Sequence, residues 1–255
     1  YRYNPAEVSM SRSPIRAVFL DAGNTLFAER RARAAIYSTV ARAHGSRASA
    51  EEIGERMQRT HSELPASLDG NFRYSLAWFR AFNERVLTSC GVSEKRLERA
   101  HAELVKRFED PKTYKVFPEV FAVLDDLAAR GVLVGIVSNW SERLPELCRS
   151  LGLADRVRFI LTSAELRSEK PDRAIFERAL FRAGVPAEQT LHVGDHFDRD
   201  VVGALQAGLR AVLVDRSGLG PHAEREGVPV LRDLRGLATL LEAPTSSADP
   251  LLAFR

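Results

Sequence analysis

The sequence predicts a doubly wound α/β fold: a parallel sheet covered by helices, with an all-helical insertion. Three observations carry this. Apolar runs of strand length alternate with helical periods from about residue 114 onward, the order that builds a parallel sheet. Those runs are apolar throughout rather than alternating, as strands buried on both faces are. Residues 29–112 show helical periods and no convincing strand, so they form a separate helical block after the first strand.

Taken in order, residues 1–9 precede Met10 and are an extension with no fold role. Ala17–Leu20 is the first strand and ends at Asp21. The insertion repeats Ile36, Val40 and Ala43 before Gly45, then Leu97, His101, Leu104, Val105 and Phe108. Val120, Val123, Leu124 and Leu127 mark a helix that Gly131 stops. Val132–Val137 is a buried strand running into Ser138 and Asn139, and Leu144, Leu147, Cys148 and Leu151 lie on a helix closed by Gly152. Val157–Leu161 is the next strand, and Ile175, Phe176, Ala179, Leu180 and Ala183 set a helix closed by Gly184. Thr190–Asp195 is a strand ending in an acid, followed by a helix at Val201–Ala207 and a strand at Ala211–Asp215. Leu237–Leu241 lies in a last short helix. The expected division is an α/β core of residues 10–28 and 113–243 and a helical cap of 29–112, with hinges near Ala28–Arg30 and Pro111–Tyr114. Residues 244–255 are a tail whose Leu251, Leu252 and Phe254 offer docking side chains.

Composition narrows the function classes. Hydrophobic residues make up 45% and charged residues 28%, as in soluble globular proteins. The net charge of +3 comes from 37 basic and 34 acidic residues that interleave without a long basic run, which speaks against nucleic-acid binding. No apolar run has membrane-spanning length and no signal-peptide pattern is present. Cys90 and Cys148 are too far apart in sequence for a zinc motif or a disulfide framework. A cytoplasmic protein, monomer or homodimer, is the expectation.

The chemistry gathers at element ends. Strands finish at Asp21, at Ser138-Asn139 and at Asp195; Asp200 opens a helix, and Lys170 precedes one entered through Pro171. In a parallel sheet these converge on one edge, where ligands bind in such folds. Taken singly, each is more often a turn residue, loop lysine or helix cap; together and in this order they outweigh that reading. Carboxylates so close repel unless a cation joins them, and hard oxygen ligands suit Mg²⁺. A lysine and backbone N–H groups beside such an ion hold a phosphoryl group.

Asp21-Ala-Gly-Asn-Thr25, Ser138, Lys170 in KPD, and Gly194-Asp195-His-Phe-Asp-Arg-Asp200 together resemble the motifs of the haloacid dehalogenase superfamily of aspartyl-nucleophile hydrolases. The likeness runs from about residue 15 to 243, and the helical insertion is similar to that family's cap. The resemblance implies that Asp21 attacks phosphorus, that Ser138, Asn139 and Lys170 bind the phosphoryl group, and that Thr25 braces the loop through its hydroxyl. It also implies Mg²⁺ held by Asp21, the Gly23 carbonyl and Asp195, with help from Asp200. The implied substrate is a small phosphorylated metabolite. Cap residues Arg30, Arg31, Arg73 and Trp78 are candidates for substrate selection, although Trp78 also fits simple helix packing.

Gly23 departs from the pattern. Phosphatases of the family carry a second aspartate there, as acid for the leaving group and then base for water. General acid–base catalysis is worth about 10² to 10⁴ in rate, so its absence is expected to make turnover slow or to limit it to good leaving groups such as acyl phosphates. Gly23→Asp would restore it, unless Glu29, His196 or Asp198 already supplies the proton. Three alternatives stand beside the phosphohydrolase: a 2-haloacid dehalogenase, which needs no acid; a phosphonate hydrolase, disfavoured because no lysine lies between Asp21 and Lys95; and a non-catalytic regulatory protein that keeps the metal site.

Overall fold

The computed structural model describes residues 13–218 and 227–242. The extension at 1–9 and the tail at 244–255, with Leu251, Leu252 and Phe254, lie outside the described residues. Strands run in the order β1 Ala17–Leu20, β2 Phe27–Glu29, β3 Ser67–Leu68, β4 Asn71–Phe72, β5 Tyr114–Val116, β6 Leu133–Ser138, β7 Phe159–Thr162, β8 Thr190–Gly194, β9 Arg210–Val214 and β10 Val230–Leu231. Helices α1 Arg33–Ala43, α2 Ala50–Glu63, α3 Leu76–Ser89 and α4 Glu94–Glu109 form the insertion. Around the sheet lie α5 Val120–Ala129, α6 Leu144–Ser150, α7 Ser163–Leu166, α8 Arg173–Ala183, α9 Gly203–Gln206 and α10 Gly236–Glu242.

Six strands form one parallel sheet in the order β10-β9-β8-β1-β6-β7. From β1 the chain winds outward through β6 and β7, then crosses to β8, β9 and β10 on the other side. The crossover makes the carboxyl end of β1 the switch point where such sheets bind ligands. Leu20 pairs in register with both Ile136 and Val193, so Asp21 emerges level with the ends of β6 and β8.

Alternation along β1 feeds both faces. Val18 and Leu20 pack with Leu124 and Leu127 of α5, Leu144 and Leu147 of α6, and Leu237 of α10. Ala17 and Phe19 face Ile175, Phe176 and Ala179 of α8 and Ala204 of α9. Burial on both sides explains the continuous apolar runs.

Residues 33–109 have a core of their own, built from Tyr37, Val40, Ile53, Trp78, Phe82, Val86 and Leu104. Its helices carry local start signals. Ser49 accepts from Glu52 N at 3.1 Å while Glu52 Oε2 accepts from Ser49 N at 2.7 Å, a reciprocal capping box for α2. The expectation of no strand in this block is corrected by the β3–β4 hairpin. Its two-residue turn, Asp69-Gly70, has positive φ at both positions (48° and 77°), the Asp-Gly signature of a tight hairpin. None of these residues joins the six-stranded sheet. The antiparallel ribbon of β2 and β5 stands where the chain enters and leaves the insertion, pairing Phe27 with Val116 and Glu29 with Tyr114.

Further differences are local. Thr190–Gly194 stops one residue before Asp195, and the helix expected at Val201–Ala207 is preceded by a π-helical turn, Phe197–Val202. Gly135, in β6, lies under Phe159: a β-carbon there would come within 2.4 Å of Phe159 Cζ. Gly135→Ala should therefore cost about 1–3 kcal/mol of stability through overpacking. Urea denaturation measures this, and an unchanged midpoint would contradict the packing.

Candidate active site

Lys170 is the centre of the site. Its Nζ donates to Asp21 Oδ1 at 2.6 Å and to Asp200 Oδ1 at 2.5 Å, with all three residues at most 8% exposed. Burial disfavours the ammonium, yet Asp200 and Asp21 outweigh it and hold the lysine above its ordinary pKa. Burial likewise pushes the Asp21 carboxyl up, opposed by Lys170 and by a hydrogen bond from Ser138. Asp200 is the reverse: burial would raise it, but Lys170 and His192 pull it well below the usual carboxylate range.

Backbone and side chains fix these positions. Asn139 clamps the lysine's peptide, donating from Nδ2 to Lys170 O at 2.9 Å and accepting from Lys170 N at 2.8 Å. Asp21 N donates to Val193 O at 2.9 Å, binding the acid to β8. The π-helical turn folds Asp200 back beneath Gly194, where a β-carbon would lie 2.2 Å from Asp200 Cγ. Such π turns recur at functional sites. His192, fully buried in β8, lies with Nε2 at 3.0 Å from Asp200 Oδ1. Burial pushes its imidazole pKa below the ordinary value, and Nε2 faces the carboxylate as its hydrogen-bond partner.

Asp195 completes the cluster. One oxygen each from Asp21, Asp195 and Asp200 lies within 4.8 Å of the others. Burial, then the charges of Asp21 and Asp200, push the Asp195 carboxyl up to about 7. Asn24 Nδ2 donates to its Oδ2 at 3.1 Å. Three carboxylates face one ammonium, and that surplus of buried negative charge suits a hard divalent cation with oxygen ligands.

Several sequence candidates fall elsewhere. Thr25 is buried, but its hydroxyl has no hydrogen-bond partner; the loop is braced instead by Arg216, which sequence reading missed. Arg216 donates from Nε to Asn24 O at 2.9 Å and from Nη2 to Thr25 O at 2.7 Å. The same Nη2 lies 2.8 Å from Glu119 Oε1, and the guanidinium sits 3.5 Å from the centre of the Phe117 ring. Trp78 is fully buried in the helical block, with Nε1 donating to Pro65 O at 2.9 Å, and so packs rather than faces the site. Arg30 and Arg31 are exposed. Arg73 reaches across to the loop before α8, with Nη1 at 3.0 Å from Glu169 Oε1 beside Lys170. Glu29 accepts from Arg33 Nε at 2.9 Å and is engaged there, while His196 and Asp198 are exposed. Gly23 lies beside Trp140: a β-carbon there would sit 3.2 Å from the indole's Cζ3.

A protein-family model described as haloacid dehalogenase-like hydrolase matches residues 15–208. The chain is 30% identical over 240 residues to haloacid dehalogenase-like hydrolase domain-containing protein 3 of Danio rerio, covering 92% of this chain and 99% of that one. It is 37% identical over 170 residues to the phosphoserine phosphatase of Thermus thermophilus, covering 62% of this chain and 65% of that one. Among solved structures, a 2-haloacid dehalogenase from Pseudomonas syringae superposes with a TM-score of 0.66 at 29% identity, over 89% of this chain and 98% of that one.

The raised Asp195 has a consequence for stability. An acid raised to about 7 in the folded protein holds its proton where the unfolded chain, titrating near 3.8, has lost it. The folded state binds more protons between those values, so this group's contribution falls as pH rises through that window. Without divalent metal, Asp195→Asn should gain melting temperature relative to the wild type between about pH 5 and about pH 8. A difference that stays constant in calorimetric scans would show an ordinary Asp195. Arg216→Ala should lose about 1.5–3 kcal/mol, the range for hydrogen bonds from a charged donor. Arg216→Lys should recover little of it, because an ammonium lacks the planar fork. Equal melting of the lysine variant and the wild type would contradict the brace.

Proposed function

The chain belongs to the haloacid dehalogenase-like hydrolases, and from that membership and the site's geometry we propose that it is a Mg²⁺-dependent phosphohydrolase with Asp21 as nucleophile. The observation that carries the reading is the buried ammonium of Lys170 between Asp21 and Asp200, next to a third carboxylate, Asp195. An ammonium beside three carboxylates that call for a cation fits a multiply charged anionic group such as a phosphoryl group.

Asp21 attacks phosphorus, the bond to the leaving group breaks, and water then hydrolyses the aspartyl-phosphate to release phosphate and free Asp21. Lys170, protonated and fixed by Asn139, orients Asp21 and neutralises phosphoryl oxygen charge alongside Ser138. Asp21 and Asp195, with the Gly23 carbonyl and with Asp200 in contact, would hold Mg²⁺, which supplies further positive charge to the phosphoryl group. Residues 29–112 act as a cap over this edge, turning about the β2–β5 ribbon; Arg73 on Glu169 is its contact beside Lys170. The phosphoserine phosphatase relative supports a small phosphorylated metabolite as substrate.

Among the described residues Glu29 is engaged by Arg33 and His196 and Asp198 are exposed, so on this reading turnover follows leaving-group pKa. The 2-haloacid dehalogenase neighbour keeps one competing reading open, because halide needs no proton.

The deciding experiment is a panel of acyl, aryl and alkyl phosphates and 2-haloacids, each with and without Mg²⁺. Acyl and aryl phosphates should turn over with Mg²⁺, alkyl phosphates barely, and Asp21→Asn should lose at least about 10³-fold. Halide release without Mg²⁺ would install the dehalogenase reading, and silence across the panel would favour the regulatory protein.

A further inference from the structure

We propose that Trp140 is the leaving-group wall of this site and selects phosphate compounds with an aromatic leaving group over those with a small alkyl one. The proposal rests on the phosphohydrolase reading.

A β-carbon at Gly23 would lie 3.2 Å from Trp140 Cζ3, inside the ordinary contact distance between carbons. Any side chain at position 23 would thus meet the indole, and the space where the family's second aspartate projects is bounded by an aromatic ring. Trp140 follows Ser138 and Asn139, which bind Asp21 and clamp Lys170, so its backbone is tied to the phosphoryl-binding groups. Its own carbonyl accepts from Ala164 N and Ser163 Oγ, each at 3.3 Å. The ring is backed by Phe27 (centroids 5.7 Å apart, edge-on) and Tyr114 (6.3 Å), with the Arg33 guanidinium 5.9 Å away. It remains only partly buried.

An indole gives no proton to a departing alkoxide. Its surface does accept an aryl ring, and such pairs are worth about three- to tenfold in binding beyond area burial. A phenolate or benzoate leaves with the bonding electron pair as the Asp21–phosphorus bond forms, and takes its proton from solvent only where the pH requires it. Gly23 and Trp140 therefore act as a small-for-large pair that replaces acid catalysis by aromatic selection.

The test is calorimetric binding of phenylphosphonate and methylphosphonate to wild type, Trp140→Ala and Trp140→Leu, each with Mg²⁺. Wild type should prefer the phenyl ligand by at least about threefold to tenfold. Both variants should lose most of that preference; Trp140→Leu fills the space without a ring and decides the matter should the alanine variant misfold. A second arm measures alkyl phosphate turnover. Gly23→Asp alone should gain little, whereas Gly23→Asp with Trp140→Ala should gain up to about 10²-fold. No preference in wild type, or an undiminished preference in Trp140→Leu, overturns the role of Trp140 and leaves the phosphohydrolase standing. Failure of wild type to bind either phosphonate removes the phosphohydrolase reading and the wall with it.

Discussion

The ammonium of Lys170, buried between two carboxylates, is the constraint around which this structure is arranged. An isolated buried charge costs several kcal/mol even after relaxation, and pairing offsets that only when geometry is good and remaining hydrogen-bond capacity is filled. Each surrounding feature supplies part of that geometry. Parallel register sets Asp21 level with the ends of β6 and β8. The Asn139 clamp aims the lysine's backbone, and the π-helical turn brings Asp200 under a glycine. His192 and His196 N fill further acceptor sites on Asp200. Two carboxylates from separate stretches thus bond one ammonium, with Asn139 and His192 holding the partners in place, and the loss of either acid leaves the lysine's charge under-compensated.

The same accounting separates the roles of the three acids. Asp200 is held ionised by the lysine and the imidazole, so it acts as a permanent counter-charge. Among the described residues Asp195 has only Asn24 as a direct donor, and its carboxyl is pushed up to about 7. It is the acid with unmet demand, and so the one through which a cation would most change the site. Asp21 lies between them in its surroundings, restrained by Lys170 and Ser138 and opposed by burial.

What was legible in the sequence was what repeats. Strand-length apolar runs and glycine stops located β1, β6, β8 and β9; acids at strand ends then pointed to Asp21 and Asp195, and the start of the following helix to Asp200, because parallel topology brings those ends together. The π turn was illegible: at six residues it is too short for its wider residue period to stand out from an ordinary helical one. Arg216 was illegible for a different reason. It is one arginine among many on a loop, and its partners are the carbonyls of Asn24 and Thr25, which every residue type possesses. Thr25 drew attention because its side chain is distinctive, yet its hydroxyl bonds nothing. Asp69-Gly70 did carry a readable hairpin signal, outweighed by the helical periods on both sides.

Gly23 shows how far a motif can be read without volumes. In sequence it is a missing carboxylate, and the natural expectation is an empty space that aspartate would refill. In the structure the space is bounded by an indole 3.2 Å from where the first added carbon would go. Refilling it is an overpacking problem before it is a question of proton transfer, and such insertions cost about 1–3 kcal/mol unless the neighbour yields. Trp140 yields little, because Phe27 and Tyr114 stand behind it and its carbonyl is held twice. Glycine at position 23 and the ring beside it are therefore one packing arrangement. The proposed aromatic selection rests on that packing, with Phe27 and Tyr114 behind the indole, and not on the missing carboxylate alone.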